Sequence, residues 1–164
     1  MLEPIAMIDF YFFLKFIHIV SSTVLFGTGL GIAFFMWMAH RTGDARAIAQ
    51  TARTVVIADA AFTASAVVVQ FASGLALAAL AGFSLREPWL LAALALYVFV
   101  GACWLPVVWI QRRLRDLARA AVDANATLPA RYDALFAIWF WLGWPAFAGV
   151  LAIFALMIWK PALW

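Results

Sequence analysis

Four long runs of apolar residues, separated by shorter polar stretches, form the dominant pattern of the chain. The uncharged parts of these runs are residues 16–39, 60–85, 88–111 and 134–159. Each is longer than the roughly 20 residues that a helix needs to cross the hydrocarbon core of a bilayer. Because no water satisfies backbone groups in that core, each run is expected to form a transmembrane helix.

The predicted fold class is therefore an all-α membrane protein, with four transmembrane helices in an antiparallel bundle. Residues 1–164 form a single integral membrane domain in this prediction. The predicted spans lie at approximately 10–39, 56–83, 88–111 and 134–159. The two longer connections are predicted to be cytoplasmic loops, at residues 40–55 and 112–133.

The connection after the third span has a helical pattern of its own. In the stretch RRLRDLARAAV, apolar residues recur at spacings of three and four, which is typical of a helix with one apolar stripe. We expect the third helix to continue through this stretch and to end around Asn125. Thr127 is the predicted N-cap of the last helix, which Pro129 is expected to open.

Composition supports a membrane protein. Apolar residues make up 68% of the chain and charged residues 12%, against about 45–50% and about 25% in soluble proteins. A water-soluble domain cannot bury that much apolar surface. The lipid bilayer is therefore the first expected partner, and a bacterial inner membrane is the expected location.

The positive charges are distributed unevenly along the chain, which has a net charge of +3. Most arginines lie in the two longer connections, at Arg41, Arg46, Arg53, Arg112, Arg113, Arg115, Arg119 and Arg131. By the positive-inside rule, these connections face the cytoplasm and both termini face the other side. Since topology alone explains such basic loops, they do not indicate a nucleic-acid partner.

Two ionisable side chains, Lys15 and His18, lie inside the first apolar run. Ionisable residues within a membrane are costly and are functional candidates by default. His18 and His40 are about 33 Å apart along a helix, so they cannot hold one metal ion within a single chain. At about 100° per residue, Ser22 and Gly29 lie close to the same helix face as His18.

This strip of the first helix suggests a site for a flat cofactor. If His18 coordinates the iron of haem, Lys15 can pair with a propionate one turn nearer the membrane surface, and Gly29 offers clearance. Each residue also has a simpler explanation. His18 can be a hydrogen-bonded histidine at a helix interface, and the long stem of Lys15 can carry its charge to the headgroups.

The second span carries polar residues that are expected to serve packing. Asp59 is predicted to be an interface carboxylate that pairs with Arg53 or with a loop arginine. Most of the others are expected to hydrogen-bond across helices, namely Thr63, Ser65, Gln70 and Ser73.

Tryptophans are expected to occupy two environments. An interfacial aromatic belt is predicted to include Trp89, Trp159 and Trp164. Trp141 and Trp144 lie deeper in the last span and are expected to line an internal surface.

The first and last spans resemble a known family. Leu14-Lys15-x-x-His18-Ile19, the following glycines and His40 look like the first helix of the HemJ-type membrane protoporphyrinogen oxidases, which are small four-helix haem b proteins. The last span has residues at similar spacings, namely Arg131-Tyr132, Pro145 and Lys160-Pro161. The overall pattern resembles still more closely the integral membrane family catalogued as domain of unknown function 2269.

The resemblance to the oxidases implies that His18 is an axial haem ligand supported by Lys15. Two features of those oxidases are missing from this chain. Residues 34–37 lack the arginine of their first span, and residues 141–144 stand where they have an Asn-Glu pair. The resemblance therefore carries over the haem site more strongly than the oxidation of protoporphyrinogen.

The sequence favours a haem b-binding integral membrane protein with a redox role. Its predicted site consists of His18, as the metal ligand, with Lys15, Ser22 and Gly29 around the cofactor. A haem-dependent, porphyrinogen-oxidase-like oxidoreductase is the stronger version of this hypothesis, and enzymatic activity itself is left open.

Several alternatives stay open at the level of sequence. A cofactor-free scaffold or assembly subunit explains the same helices, and a small transporter is a third class. The sixth haem ligand is a methionine, a water, Tyr97 or a second copy's His18. The expected protein partner is a membrane redox protein or a second copy packed through Gly27 and Gly31.

Overall fold

The computed structural model describes residues 4–163, with side chains from residue 7 onward, and this part of the chain is helical apart from short connections. The helices are α1 (Pro4–Thr42), α2 (Ala45–Ala58), α3 (Ala64–Leu80), α4 (Pro88–Asp123) and α5 (Ala130–Trp159). A π-helical turn, Asp59–Thr63, joins α2 to α3 without a break.

The four predicted spans are confirmed as four helical elements that are long and apolar enough to cross a membrane. They are Met7–Thr42, Ala45–Leu80, Pro88–Asp123 and Ala130–Trp159. Many of their large apolar side chains are exposed on the protein surface, for example Phe12, Phe13 and Phe16 of α1. A helix that is apolar on all sides suits a lipid environment. The membrane sides of the two termini and the antiparallel bundle stay predictions.

Residues 40–55, assigned to a loop from sequence, are mostly helical in the structure. Only Gly43 and Asp44 separate α1 from α2, and Gly43 adopts a positive φ of 67° that favours glycine. The Asp44 side chain caps α2 by accepting hydrogen bonds from the backbone of Arg46 and Ala47. Helix α2 forms here because its apolar residues share one face, which is buried through Ile48, Ala52 and Val55.

The extension of the third helix is confirmed, since α4 runs without interruption to Asp123. The predicted cap at Thr127 is wrong. Pro129 occupies the N-cap position of α5, makes no side-chain cap hydrogen bond, and α5 begins one residue later. The extended backbone that a capping residue adopts is compatible with proline, whose φ is fixed near −65°.

The main core lies where the end of α1 meets α2, α4 and the start of α5. Helix α1 packs along α2 and α3, α2 packs on α4, and α4 packs along α5. The largest side chains that are fully buried are Met36, Ile48, Leu114 and Tyr132. A smaller cluster joins the end of α3 to the start of α4 through Ala78, Trp89 and Leu90.

Not all of the described tryptophans occupy their predicted environments. Trp141 and Trp144 are 69% and 60% exposed, so the prediction that they line an internal surface is wrong. Trp139, between them and the start of α5, is the buried one. Trp89 is also buried, with the Lys160 ammonium 5.6 Å from its ring centroid. Trp159 is exposed, as an interfacial residue should be; Trp164 lies outside the described residues.

Two tyrosines, the half-buried Tyr97 and the buried Tyr132, predict opposite effects of removing a hydroxyl. The Tyr97 hydroxyl donates a 2.7 Å hydrogen bond to the Val67 carbonyl, whereas the fully buried Tyr132 hydroxyl has no partner within the described chain. Tyr97→Phe is expected to lower the free energy of unfolding by about 0.5–1.5 kcal/mol. Tyr132→Phe is expected to raise it slightly, because it removes an unsatisfied polar group. Unfolding in mixed detergent micelles measures both, and an equal loss in both variants would contradict the assignment.

Candidate functional site

His18 is the centre of a polar cluster between α1 and α3. Its Nδ1 lies 2.8 Å from Ser73 Oγ, and its Nε2 lies 3.0 Å from Gln70 Nε2. Ser21 extends the cluster by donating its hydroxyl to Gln70 Oε1. Ser21 and Ser73 are buried. Both nitrogens of this histidine therefore face α3 and have polar neighbours.

The hydrogen-bond network assigns the tautomer of His18. The Ser73 hydroxyl donates to the Val69 carbonyl at 2.6 Å, so its oxygen accepts the proton of His18 Nδ1. The Gln70 amide nitrogen then donates to Nε2, which holds a lone pair. The imidazole is neutral in this arrangement, with Nδ1 protonated and Nε2 an acceptor.

The absence of a side chain at Gly74 allows α3 to approach the imidazole closely. A Cβ atom built on Gly74 would lie 3.1 Å from His18 Cε1, tighter than ordinary van der Waals contact. Glycine at this position therefore lets the helix backbone pack against the ring while Ser73, the preceding residue, reaches Nδ1.

Loss of the Ser73 hydroxyl is expected to destabilise the protein, because it leaves the buried Nδ1–H without an acceptor. We expect Ser73→Ala to lower the free energy of unfolding by about 1–3 kcal/mol. Ser65→Ala is the matched control. Ser65 is also on α3 and also donates to the carbonyl four residues earlier, at 2.6 Å, but it is exposed and has no cross-helix partner within residues 7–163. A loss of equal size in both variants, measured by unfolding in detergent, would mean that the cross-helix bond contributes nothing.

The other predicted site residues lie elsewhere. Lys15 is exposed, with its ammonium 6.0 Å from the ring centroid of Tyr11. Ser22 donates its hydroxyl to the Ile19 carbonyl of its own helix. Gly29 faces α5, where a Cβ would lie 3.7 Å from the Phe147 ring. The structure therefore does not bring Ser22 and Gly29 together with the His18 imidazole on one surface.

His40 has a separate environment in the main core. Its ring stacks on Phe136 with a centroid distance of 3.7 Å and an interplanar angle of 12°. Its Nδ1 is buried and has no hydrogen-bond partner within the described chain. His40 and His18 thus contact different helices, α5 and α3.

Sequence reasoning assigned Gln70 and Ser73 to general packing and did not connect them to His18. A usable signal was present. The two residues lie three positions apart, so they share a helix face, and glycine follows Ser73 directly. A polar pair beside a glycine in one span offers a partner surface for an ionisable residue in another.

Asp59 has a different partner from the expected arginine. Its carboxylate Oδ1 accepts a 3.1 Å hydrogen bond from the Trp104 indole of α4, and within the described chain it forms no ion pair. Asp59 does not meet an arginine because it lies at the start of the π-helical turn, where its side chain is buried against α4. The prediction had placed it at the exposed interface of the second span.

Within the described residues, His, Cys, Asp and Glu side chains do not gather in groups of three or more that could hold a metal ion. Cys103 is a free, buried thiol. Any metal at His18 would therefore need ligands from outside this set of side chains, such as those of a porphyrin.

Four membrane-length apolar helices, with a hydrogen-bonded polar cluster within them, define an integral membrane protein. Residues 12–161 match the family described as a predicted integral membrane protein, domain of unknown function 2269. Because the match covers most of the chain, the protein belongs to this family. The comparisons with curated proteins and with solved structures gave no match.

Proposed function

We propose that this protein binds haem b within the membrane and has a redox role, with His18 as an axial ligand of the iron. The observation that carries the proposal is the state of the imidazole: a neutral ring in a membrane-length helix, with Nδ1–H directed at Ser73 and the lone pair on Nε2. A metal-bound histidine typically has this arrangement, in which the other ring nitrogen donates to a fixed acceptor.

The residues around His18 fit a metal ligand in their donor chemistry. Ser73 fixes the ring orientation and tautomer, and Gly74 gives the ring a close backbone support. Gln70 donates to Nε2 in the structure, and its flexible side chain can release that nitrogen to a stronger ligand. When bound, haem supplies one-electron transfer at a potential set by its axial ligands and their hydrogen bonds.

Lys15 is the proposed partner of a haem propionate. Its side chain is exposed and forms no ion pair among side chains 7–163, so its ammonium is available to an acidic group. Gly29 and Ser22 are left out of the proposed site, because Phe147 covers the first and the second bonds to its own helix.

The resemblance of Leu14-Lys15-x-x-His18-Ile19 to the first helix of the HemJ-type oxidases supports the same two roles. It extends the proposal to a haem-dependent oxidoreductase of the porphyrinogen-oxidase type. The replacement of their polar residues by residues 141–144 makes haem binding the better supported part.

An absorption spectrum tests the proposal directly. The full chain, made in haem-replete cells and purified in mild detergent, is expected to show a Soret band that shifts on reduction with dithionite. The pyridine haemochrome assay then identifies the haem type and its ratio to protein. A colourless preparation from such cells would overturn the proposal.

A second candidate function is a cofactor-free scaffold or assembly subunit. One observation favours it: both nitrogens of His18 already have protein partners in α3. In that case the cluster serves only to fix α1 against α3, and the purified protein is colourless although Ser73→Ala is still destabilised.

A further inference from the structure

A second polar site lies away from His18, where α2 and α3 face α4. It is a cavity of about 150 Å³ beside the π-helical turn. Four polar side chains line it, those of Asp59, Trp104, Gln111 and Arg112. The other lining residues are alanines and valines, at positions 56, 60, 64 and 108. No residue of the His18 cluster lines this cavity.

The cavity brings together two opposite charges that do not pair directly. Asp59 is only 4% exposed, while Arg112 lies at the protein surface. Within the described chain the two form no ion pair. A buried carboxylate without a cationic partner is costly, so a positively charged group in the cavity would stabilise it.

Gln111 gives independent evidence for a ligand. It is 2% exposed, and its Oε1 has no hydrogen-bond partner within the described chain. A buried polar atom without a partner indicates a missing donor such as a ligand or water. The lining also includes a π-helical turn, a feature that is frequent at functional sites.

Together these groups select a zwitterion. The deep carboxylate and the amide oxygen favour a cation that donates hydrogen bonds, while the guanidinium of Arg112 favours an anion at the surface. The cavity is several times larger than the roughly 10–15 Å³ that a single water needs, so it has room for a small ammonium-bearing group. The neighbouring residues Arg113 and Arg115 mark this end of α4 as the predicted headgroup level.

We propose that the cavity binds the phosphoethanolamine headgroup of a membrane lipid, with its ammonium at Asp59 and Gln111 and its phosphate at Arg112. A primary ammonium has hydrogen-bond donors for both acceptors. The trimethylammonium of phosphocholine has none and is larger, so the site discriminates between these two zwitterionic lipids.

Lipid retention measured by native mass spectrometry tests this proposal. The full chain in mild detergent is incubated with phosphatidylethanolamine or phosphatidylcholine of the same acyl chains, and the lipid bound to the intact protein is counted. Wild-type protein is expected to retain a phosphatidylethanolamine molecule at least about tenfold more tightly than phosphatidylcholine. Equal retention of both lipids would overturn the proposal.

Asp59→Asn tests the ammonium contact. Asparagine keeps an oxygen for the Trp104 indole and loses only the charge, so retention of phosphatidylethanolamine is expected to fall at least about tenfold. Ala64→Leu supplies a second test that leaves all charges in place, because it fills the cavity from α3. If Asp59→Asn does not fold, Ala64→Leu decides the question; unchanged retention in either folded variant contradicts the proposal.

Arg112→Gln and Arg113→Gln form a matched pair for the phosphate contact. The two arginines are adjacent, but Arg113 lies over the Trp109 ring, 5.4 Å from its centroid, and does not line the cavity. Only Arg112→Gln is expected to reduce retention, and equal losses would indicate general attraction of anionic groups. Free phosphoethanolamine that competes as strongly as the lipid would identify a soluble ligand instead. Haem retention should be unchanged in all four variants, so this test is separate from that of His18.

Discussion

The His18→Ala variant, purified from haem-replete cells, is expected to have lost the Soret band of the wild-type protein. The alanine removes the only side-chain nitrogen proposed to bind the iron, and axial ligation holds haem b in place without a covalent link. The measurement is the ratio of Soret absorbance to protein concentration, with haem quantified separately.

The Ser73→Ala variant, which loses the hydroxyl that fixes the ring, is expected to lose about 10–100-fold in haem affinity and to shift the reduction potential of the haem.

His40→Ala is the matched control for this experiment. It removes the other histidine of the same helix, which stacks on Phe136 in the main core and has no contact with the His18 cluster in the described residues. Its spectrum is expected to match that of wild type. If His40→Ala bleaches the protein and His18→Ala does not, the ligand assignment is wrong.

Lys15→Ala should weaken haem retention without abolishing it, because it removes the proposed partner of a propionate and leaves the iron ligand in place. Unchanged retention would mean that the lysine only reaches the headgroups.

The helices of this protein could be predicted from sequence because their signal is local. Uncharged runs longer than the length needed to cross a bilayer core are visible directly in the sequence. The stripe in RRLRDLARAAV predicted that the third helix continues to around Asn125, and α4 ends close by, at Asp123. The helical structure of residues 40–55 was not predicted, because their charged residues and alanines resemble those of a polar loop. Their stripe of Ile48, Ala52 and Val55, after the capping residue Asp44, was the available signal for α2.

The inward faces of the helices were not predictable, because a membrane helix is apolar on every side. In α5 nothing in the local pattern separates the buried Trp139 from the exposed Trp141 and Trp144. The partners of His18 pose the same problem at longer range. Sequence identified the histidine, but its contact with Ser73 depends on which span packs against α1, and that is settled by the packing of the whole chain.

Gly149→Ala is expected to weaken the packing of α4 against α5 more than any other glycine substitution in the membrane-length helices. A Cβ atom at Gly149 would lie 2.6 Å from Val100 Cγ2, which is closer than real contacts of this kind. Valine cannot rotate away easily, since its branched Cβ favours one rotamer in a helix. The helices must therefore separate, and overpacking of this type typically lowers the free energy of unfolding by about 1–3 kcal/mol.

Gly143→Ala on the same helix isolates this packing effect from helix propensity. Nothing lies within 4 Å of a Cβ at Gly143, so alanine there is expected to stabilise α5 or leave it unchanged, by up to about 1 kcal/mol. The double variant Val100→Ala with Gly149→Ala should recover part of the loss, because the first change removes the methyl group that the new Cβ meets. Unfolding in mixed micelles measures the coupling between the two positions. Strict additivity, or a loss at Gly143 equal to that at Gly149, would show that α4 and α5 do not approach this closely.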